Sequence, residues 1–568
     1  MSEIVLPNWA DELRKRYLSG EASMFLIHGN VRDVQPWQDE NGEILWLDLR
    51  RFLEKFLGRT RDIVAYYDIS QGLCFPDRSN EKRFQKAIDT ARMLDGRDVI
   101  SEIPRSAGKA IGLIEELISN PLQTSGVVID FVETVAPNGD LSFMGTEDKA
   151  NLVSLQRWSS APAFLATDNL VILITEHLSD VSRRVVASPQ LKTLQIPFPD
   201  EDLRNKFLGS QDMKGVDMEM PLNVLGQISA GLSLIQVRAL LRGAFQTGEQ
   251  ISYHEVARRK KQIIEQECHG LVEFVDTKHN FTHVGGMERV KKDLMRVADA
   301  VKAGQTNRVP MGMIFVGPMG TGKTFVAKAF AAESGLTCLK FKNFREKWVG
   351  STEGNLEKIL DLVDALGYVL LIIDEADRSL SGGDSDGGTS SRVIARLKEF
   401  MSDTSHRGRV VILMMTNRPD KLDVDLKRPG RFDLKIPFFF PEAASERKLI
   451  MEALLRKNGL EMGRGAKLDG AVEKTEGYSG AELELILLRA ANLAAEREHK
   501  GISQKDIDEA VVDVIPSRDT KMLEYMELLA VFEASARRML PEQYADMDTG
   551  AVQEELDRLR MNLGRRAQ

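Results

Sequence analysis

Met311–Lys328 reads MGMIFVGPMGTGKTFVAK, and the rest of the chain can be organised outward from it. A short apolar strand pattern, Met313–Val316, runs into Gly317-Pro318-Met319-Gly320-Thr321-Gly322-Lys323-Thr324, and a helical pattern follows from Phe325. This is G-x-x-x-x-G-K-T between a strand and a helix, the context in which that string cradles phosphates. Gly317, Gly320 and Gly322 tolerate the unusual φ/ψ that a concave nest of backbone N–H groups requires. The following helix points the positive end of its dipole at the anion. Lys323 is therefore expected to reach the β and γ phosphates of a nucleoside triphosphate, and the Thr324 hydroxyl to sit on Mg²⁺.

Fifty-one residues after Lys323, a second apolar run, Tyr368–Ile373, ends in Asp374-Glu375-Ala376-Asp377. A buried strand closing on two adjacent carboxylates suits metal-assisted attack by water, with Asp374 in the Mg²⁺ shell and Glu375 as general base. Forty-three residues beyond Asp374, a third strand pattern, Val410–Thr416, brings the amide of Asn417 to the same edge, where it can orient the water. Arg428 and Arg431 follow in Arg428-Pro-Gly-Arg431-Phe-Asp433. Their spacing predicts that both project the same way from a turn. Guanidinium groups bind phosphate oxygens in a fork and stay charged. With Lys323 already serving the chain's own loop, the pair reads as fingers for a neighbouring chain's γ-phosphate.

These strings resemble the AAA ATPases, in particular the group of valosin-containing protein, NSF, katanin and the proteasomal ATPases. The likeness covers about residues 279–515 and includes Val284-Gly285-Gly286 and Gly477-Tyr-Ser-Gly480-Ala481. It implies ATP with Mg²⁺ as cofactors, base and ribose contacts from Val284, Gly285, Gly480 and Ala481, and a homo-oligomeric ring, usually of six, whose sites are completed by neighbours. It also implies a pore loop at Lys347-Trp348-Val349-Gly350, 25 residues past Lys323, where Trp348 and Val349 grip an extended polypeptide. A large flat side chain can contact any peptide without sequence readout; the alternative is a tryptophan that anchors the loop to the core. A second pore segment, from Ser379, is polar and lacks an aromatic.

The first 250 residues echo the second half without the phosphate motif. Residues 170–208 track 410–450, 127–133 track 371–377, and 228–256 track 475–511, while Phe25–Val34 stands in the place of the phosphate-binding strand and turn. Blocks recurring in one order argue for a duplicated module. The first copy should be inert: His28-Gly29-Asn30-Val31 offers no lysine, Phe131 stands where Glu375 does, and Glu176 replaces Asn417. The alternative is a site for another ligand around His28, Asn30 and Asp130.

The expected fold is α/β: tandem AAA+ modules, each a parallel sheet with helices on both faces plus a small helical lid, the first module degenerate. The expected divisions are 1–200 and 201–270 for the first large subdomain and lid, 271–440 and 441–515 for the second pair, and 516–568 for a helical extension. Within that extension, 522–544 should pack on the lid or a neighbour. The linking run Arg258-Arg-Lys-Lys is expected to be a solvated face.

Composition is consistent with this and excludes other classes. The chain has 568 residues, 43% hydrophobic and 28% charged, ordinary values for about three to four folded units. Its net charge of −9 argues against a nucleic-acid partner. Three cysteines, with no C-x-x-C, argue against a disulfide framework, and no H-E-x-x-H string occurs. No run of eighteen apolar residues suggests membrane insertion, so the expected location is cytoplasmic. The expected activity is ATP hydrolysis that remodels a protein client, by unfolding, disassembly or chaperoned assembly, with an adaptor as a further partner. The alternatives are a nucleic-acid motor or loader, and an assembly scaffold switched by ATP.

Overall fold

The computed structural model describes residues 6–564 apart from 40, 101–102, 105–106, 140, 143, 212–216, 249, 269–270, 276–278, 343–351, 380–388 and 517–518. Trp348, Val349 and most of the second pore segment therefore lie outside the described residues. The chain divides into two compact units, Met1–Ile264 with Glu353–Ala365, and Glu265–Thr352 with Leu366–Gln568.

Strands of the first unit are β1 (Met24–Gly29), β2 (Gln35–Gln38), β3 (Ile44–Leu47), β4 (Ile63–Asp68), β5 (Gly72–Cys74), β6 (Ser125–Ile129), β7 (Leu170–Ile174) and β8 (Leu191–Ile196). Those of the second are β9 (Val272–Phe274), β10 (Gly312–Val316), β11 (Thr337–Phe341), β12 (Val369–Ile373), β13 (Val410–Thr416) and β14 (Phe432–Pro437). The first sheet runs β5-β4-β6-β7-β1-β8 and the second, from its opposite edge, β9-β11-β12-β13-β10-β14. In each sheet five strands are parallel and the outermost, β5 or β9, is antiparallel. The two topologies coincide strand for strand, although β5 follows its partner in sequence and β9 precedes its own. β2 and β3 form a separate ribbon.

The apolar runs explain which strands are central. β7, β12 and β13 are buried at every position, as strands covered by helices on both faces must be. The edge strand β8 instead alternates, with Lys192, Thr193 and Gln195 off the core. β1 pairs β7 through Met24↔Val171, and β10 pairs β13 through Gly312↔Ile412. These registers bring the C-terminal ends of the central strands to one edge of each sheet, where ligands of open parallel sheets bind.

Each unit also carries a helical lid. Helix Leu234–Thr247 begins at Ser233, and helix Gly480–Glu496 at Ser479. Both starts are reciprocal capping boxes, Ser233 with Gln236 and Ser479 with Glu482, at positions that the sequence repeat pairs.

Two expectations are corrected. Helix Thr520–Glu533 packs on the large subdomain beside β14, and not on the lid. Glu533 binds both Lys427 and Lys435, and Ser535 exchanges hydrogen bonds with the Lys435 backbone at 2.7 and 3.1 Å. Helix Thr549–Leu563 then covers its other side through Val552, Leu556 and Leu559. The run Arg258–Lys261 is not a uniformly solvated face. Lys260 turns inward to the Ile228 carbonyl at 3.1 Å, and burial pushes its amine down to about 8.

Candidate functional site

The G-x-x-x-x-G-K-T string forms the turn between β10 and helix Lys323–Ser334. Gly317 sits at φ +145°, and a Cβ there would lie 2.1 Å from the Phe438 carbonyl, so no other residue fits without moving β14. Gly322 caps the helix at φ +88°. Thr321 is buried and ties the loop back to the Pro318 carbonyl at 2.9 Å.

Lys323 Nζ donates to the carbonyls of Gly317 at 2.8 Å and Pro318 at 2.7 Å, and to Asn417 Oδ1 at 2.8 Å. Burial pushes this amine down to about 8, against the opposing pull of Asp374 and Asp377. Three neutral acceptors and no carboxylate in contact describe a cation held ready for an anion. Asp374 Oδ2 is paired with Lys340 at 2.8 Å. Glu375 lies in the left-handed region at φ 46° and pairs with Arg378 at 3.0 Å. A glutamate at positive φ is uncommon, and such strain concentrates at functional positions.

These groups border a cavity of about 820 Å³. Its wall includes Val284, Gly285, Met319, Gly320, Thr321, Gly322, Lys323, Thr324, Asp374, Glu375, Asn417, Gly480 and Ala481. Gly317 and Pro318 stand behind the wall as anchors of Lys323. The lid reaches the loop directly: Ala481 N donates to the Gly320 carbonyl at 3.1 Å. Arg428 and Arg431 are outside the wall and, contrary to expectation, do not project alike. Both are tethered to Asp425, but Arg428 stays largely exposed while Arg431 folds back onto the Asp425 carbonyl at 2.7 Å.

The sequence missed several contributors. Lys340, the partner of Asp374, lies on β11 and carries no motif. Arg289 and the C-terminal residues Met539, Pro541 and Glu542 also line the cavity, from positions that no spacing connects to it.

The donor set fits a nucleoside triphosphate and Mg²⁺. The glycine cradle and buried Lys323 amine suit phosphate oxygens, and Thr324 with Asp374 is an all-oxygen pair of the kind Mg²⁺ takes. Bound Mg²⁺ would supply neutralisation of the charge developing on the phosphates. Glu375 supplies a basic oxygen, and Asn417 an amide that positions what approaches it.

The equivalent place in the first unit keeps the backbone and loses the chemistry. Gly29 has φ +89°, and a Cβ there would lie 2.6 Å from the Ile196 carbonyl, as at Gly317. Phe131 has φ 52°, beside 46° at Glu375, and its N–H meets Asp130 Oδ1 at 2.8 Å as that of Glu375 meets Asp374 at 3.0 Å. The pocket chemistry is replaced by two adjacent side chains. Arg32 pairs with Asp130 at 2.9 Å and Glu176 at 3.2 Å, and lies 4.0 Å over the Phe131 ring. Asp33, 2% exposed, accepts from the backbone N–H of Leu234 and Ile235 at 2.8 and 3.0 Å. It also accepts from Asn30 at 3.0 Å and Val34 at 2.9 Å. Burial pushes its carboxyl up, and the four donors hold its charged form. Asn30 and Asp130 are thus satisfied from within. An Arg-Asp pair directly after His28-Gly29-Asn30-Val31, absent from the second copy, was a signal available in the sequence.

Comparison with known proteins finds four family models along the chain. Residues 313–440 match the family "ATPase family associated with various cellular activities (AAA)", and 467–509 an "AAA+ lid domain". The second module is an AAA ATPase domain. Residues 3–197 match "AAA+ chaperone, N-terminal Rossmann-like domain", and 202–269 "AAA+ chaperone, second helical domain". The chain is similar to the ATP-dependent zinc metalloprotease FtsH 1 of Sphaerobacter thermophilus, 30% identical over 395 residues, 65% of this chain and 59% of that protein. It is 32% identical over 261 residues to chloroplastic FTSH 1 of Arabidopsis thaliana, 44% of this chain and 36% of that one. It is 33% identical over 251 residues to FtsH of Mesoplasma florum, 41% and 37%. The chain thus spans less than two thirds of these relatives. They are FtsH enzymes, so the comparisons reach the AAA+ ATPases and not the narrower group of valosin-containing protein, NSF and katanin. Among the described residues no helix is long and apolar enough to cross a membrane.

Proposed function

We propose that this chain is the subunit of a homo-oligomeric, six-membered ring that hydrolyses ATP with Mg²⁺ to remodel a protein client. The observation that carries the reading is the cavity itself. Lys323, Thr324, Asp374, Glu375 and Asn417 border it, whereas Arg428 and Arg431 remain outside its wall. A site complete but for its arginine is what a donated finger requires. Chaperone-type models over the first 269 residues and relatives named as ATP-dependent proteases favour a polypeptide client over nucleic acid. The protease half of that name is said of those relatives and is not carried over to this chain. The finer likeness to valosin-containing protein and its group rests on Arg428–Asp433 and Gly480-Ala481. The first module serves as a second layer that scaffolds assembly or receives the client, and Trp348 with Val349 as the gripping loop.

The test is ATP turnover measured with an unfolded polypeptide and with duplex DNA. Stimulation by the polypeptide alone supports the reading, and stimulation by DNA alone replaces it with a motor or loader. Absence of any turnover leaves the ATP-switched scaffold.

A further inference from the structure

The C-terminal extension lines the nucleotide cavity and also contacts the turn after Asn417. After Ser535 the chain leaves β14 and makes a 3₁₀ turn, Arg537–Met539. Met539 is buried in the core cluster that contains Val284 and Phe438. The turn is pinned by Arg538 to Asp293 at 3.1 Å, where the Asp293 side chain is almost fully buried. Arg289 donates to the Leu540 carbonyl, and Gln543 to Glu442. Arg289 and Glu442 are themselves part of the cavity wall, as are Met539, Pro541 and Glu542. On the other side, Tyr525 lies under the guanidinium of Arg418, 5.3 Å away, and reaches Asp420 at 3.4 Å. Arg418 follows directly on Asn417, and Asp420 comes two residues later.

We propose that Ser535–Glu542 is a strap that forms the Val284 side of the nucleotide site, so that nucleotide binding and docking of the C-terminal helices strengthen each other. The proposal deepens the ATPase reading and rests on it. Met539 and Pro541 give the wall an apolar surface of the kind a purine face needs. Arg538 touches no part of the cavity wall and acts as a positioning residue through the turn it holds. Coupling is reciprocal: whatever factor the docked strap adds to nucleotide affinity, the nucleotide adds to strap docking. Tyr525 extends the link to the turn after Asn417.

The experiment uses the full chain, with ADP as probe. In the wild type, ADP should slow amide exchange across 536–542 by about ten-fold, within the ordinary range of site-to-site coupling, and should not do so in Lys323→Ala. Arg538→Ala should weaken ADP binding by about ten-fold, and Arg538→Lys should recover part of the loss. Unchanged ADP affinity in folded Arg538→Ala overturns the strap while leaving the nucleotide site intact. So does ADP binding that leaves exchange at 536–542 unaltered in the wild type, a result independent of whether the variant folds. Failure of the wild type to bind ADP at all overturns the site and the strap together.

Discussion

Lys323 makes the nucleotide affinity of this protein dependent on alkaline pH. Its amine is buried among three neutral acceptors, and burial pushes it down to about 8. A bound polyphosphate places negative charge against the amine and raises its proton affinity again, so above about pH 8 binding must be accompanied by proton uptake. With a free-protein value of about 8, the protonated fraction falls about 25-fold between about pH 7.5 and about pH 9.5, and ADP affinity should fall by the same factor. For stability the sign is opposite. A lysine depressed in the folded state means that the unfolded chain binds more protons between about 8 and the ordinary lysine value near 10.4, so the nucleotide-free fold gains stability as pH rises through that window. Titration calorimetry in two buffers of different ionisation enthalpy measures both affinity and proton uptake. A flat ADP affinity over the range, with no proton taken up, would refute the argument.

Arg428→Ala should bind ATP nearly as the wild type does yet lose roughly 10³-fold or more in turnover, as expected of a donated finger. Mixing it with Lys323→Ala should restore part of the activity, and mixed rings without rescue would remove the trans role. Asp33→Ala leaves the N–H groups of Leu234 and Ile235 without their acceptor in a buried place, at a cost of about 2–4 kcal/mol; amide exchange across 233–247 should rise, and unchanged protection would show that the cap is dispensable. Asp506 is fully buried, accepts from Ser503, His499 and Arg497, and is held below the usual carboxylate range. Its contribution is therefore present above the unfolded value near 3.9 and lost as pH falls through the folded one. Acid unfolding of Asp506→Asn should accordingly begin from a lower stability at neutral pH and show a shallower loss below pH about 4.

Much of the second module was legible because its chemistry is local. Gly317–Thr324, Asp374-Glu375 and Asn417 each sit at the end of a fully buried strand, and a parallel sheet brings strand ends to one edge whatever lies between them. The duplication was legible for a related reason: block order survives where identity does not, and Ser233 and Ser479 begin equivalent helices. What escaped depends on contacts between distant segments. The periodicity of 522–544 shows that a helix has an apolar face, but not that Glu533 will seek Lys427 and Lys435. Nor does any spacing show Met539 beside Val284. The two arginines failed for a different reason. Residues three apart share a direction only in a helix, and Pro429-Gly430 makes the intervening chain a turn, with Gly430 at φ +92°.

The two modules solve one physical problem in different ways, and the difference bears on why the silent copy persists. A lid helix that begins over a sheet edge presents backbone N–H groups which need acceptors. In the second module the Gly320 carbonyl takes the N–H of Ala481, and the loop around it is open to an anion. In the first, Asp33 supplies the anion covalently and Arg32 supplies the cation that Asp130 and Glu176 require. The arrangement resembles an occupied site whose ligand cannot leave. Loss of the lysine and the glutamate at Phe131 is then more than decay of an enzyme: it is accompanied by two residues that make the binding energy of a nucleotide a fixed property of the fold. The exchange measurement on Asp33→Ala asks whether the order of that lid depends on the built-in acceptor.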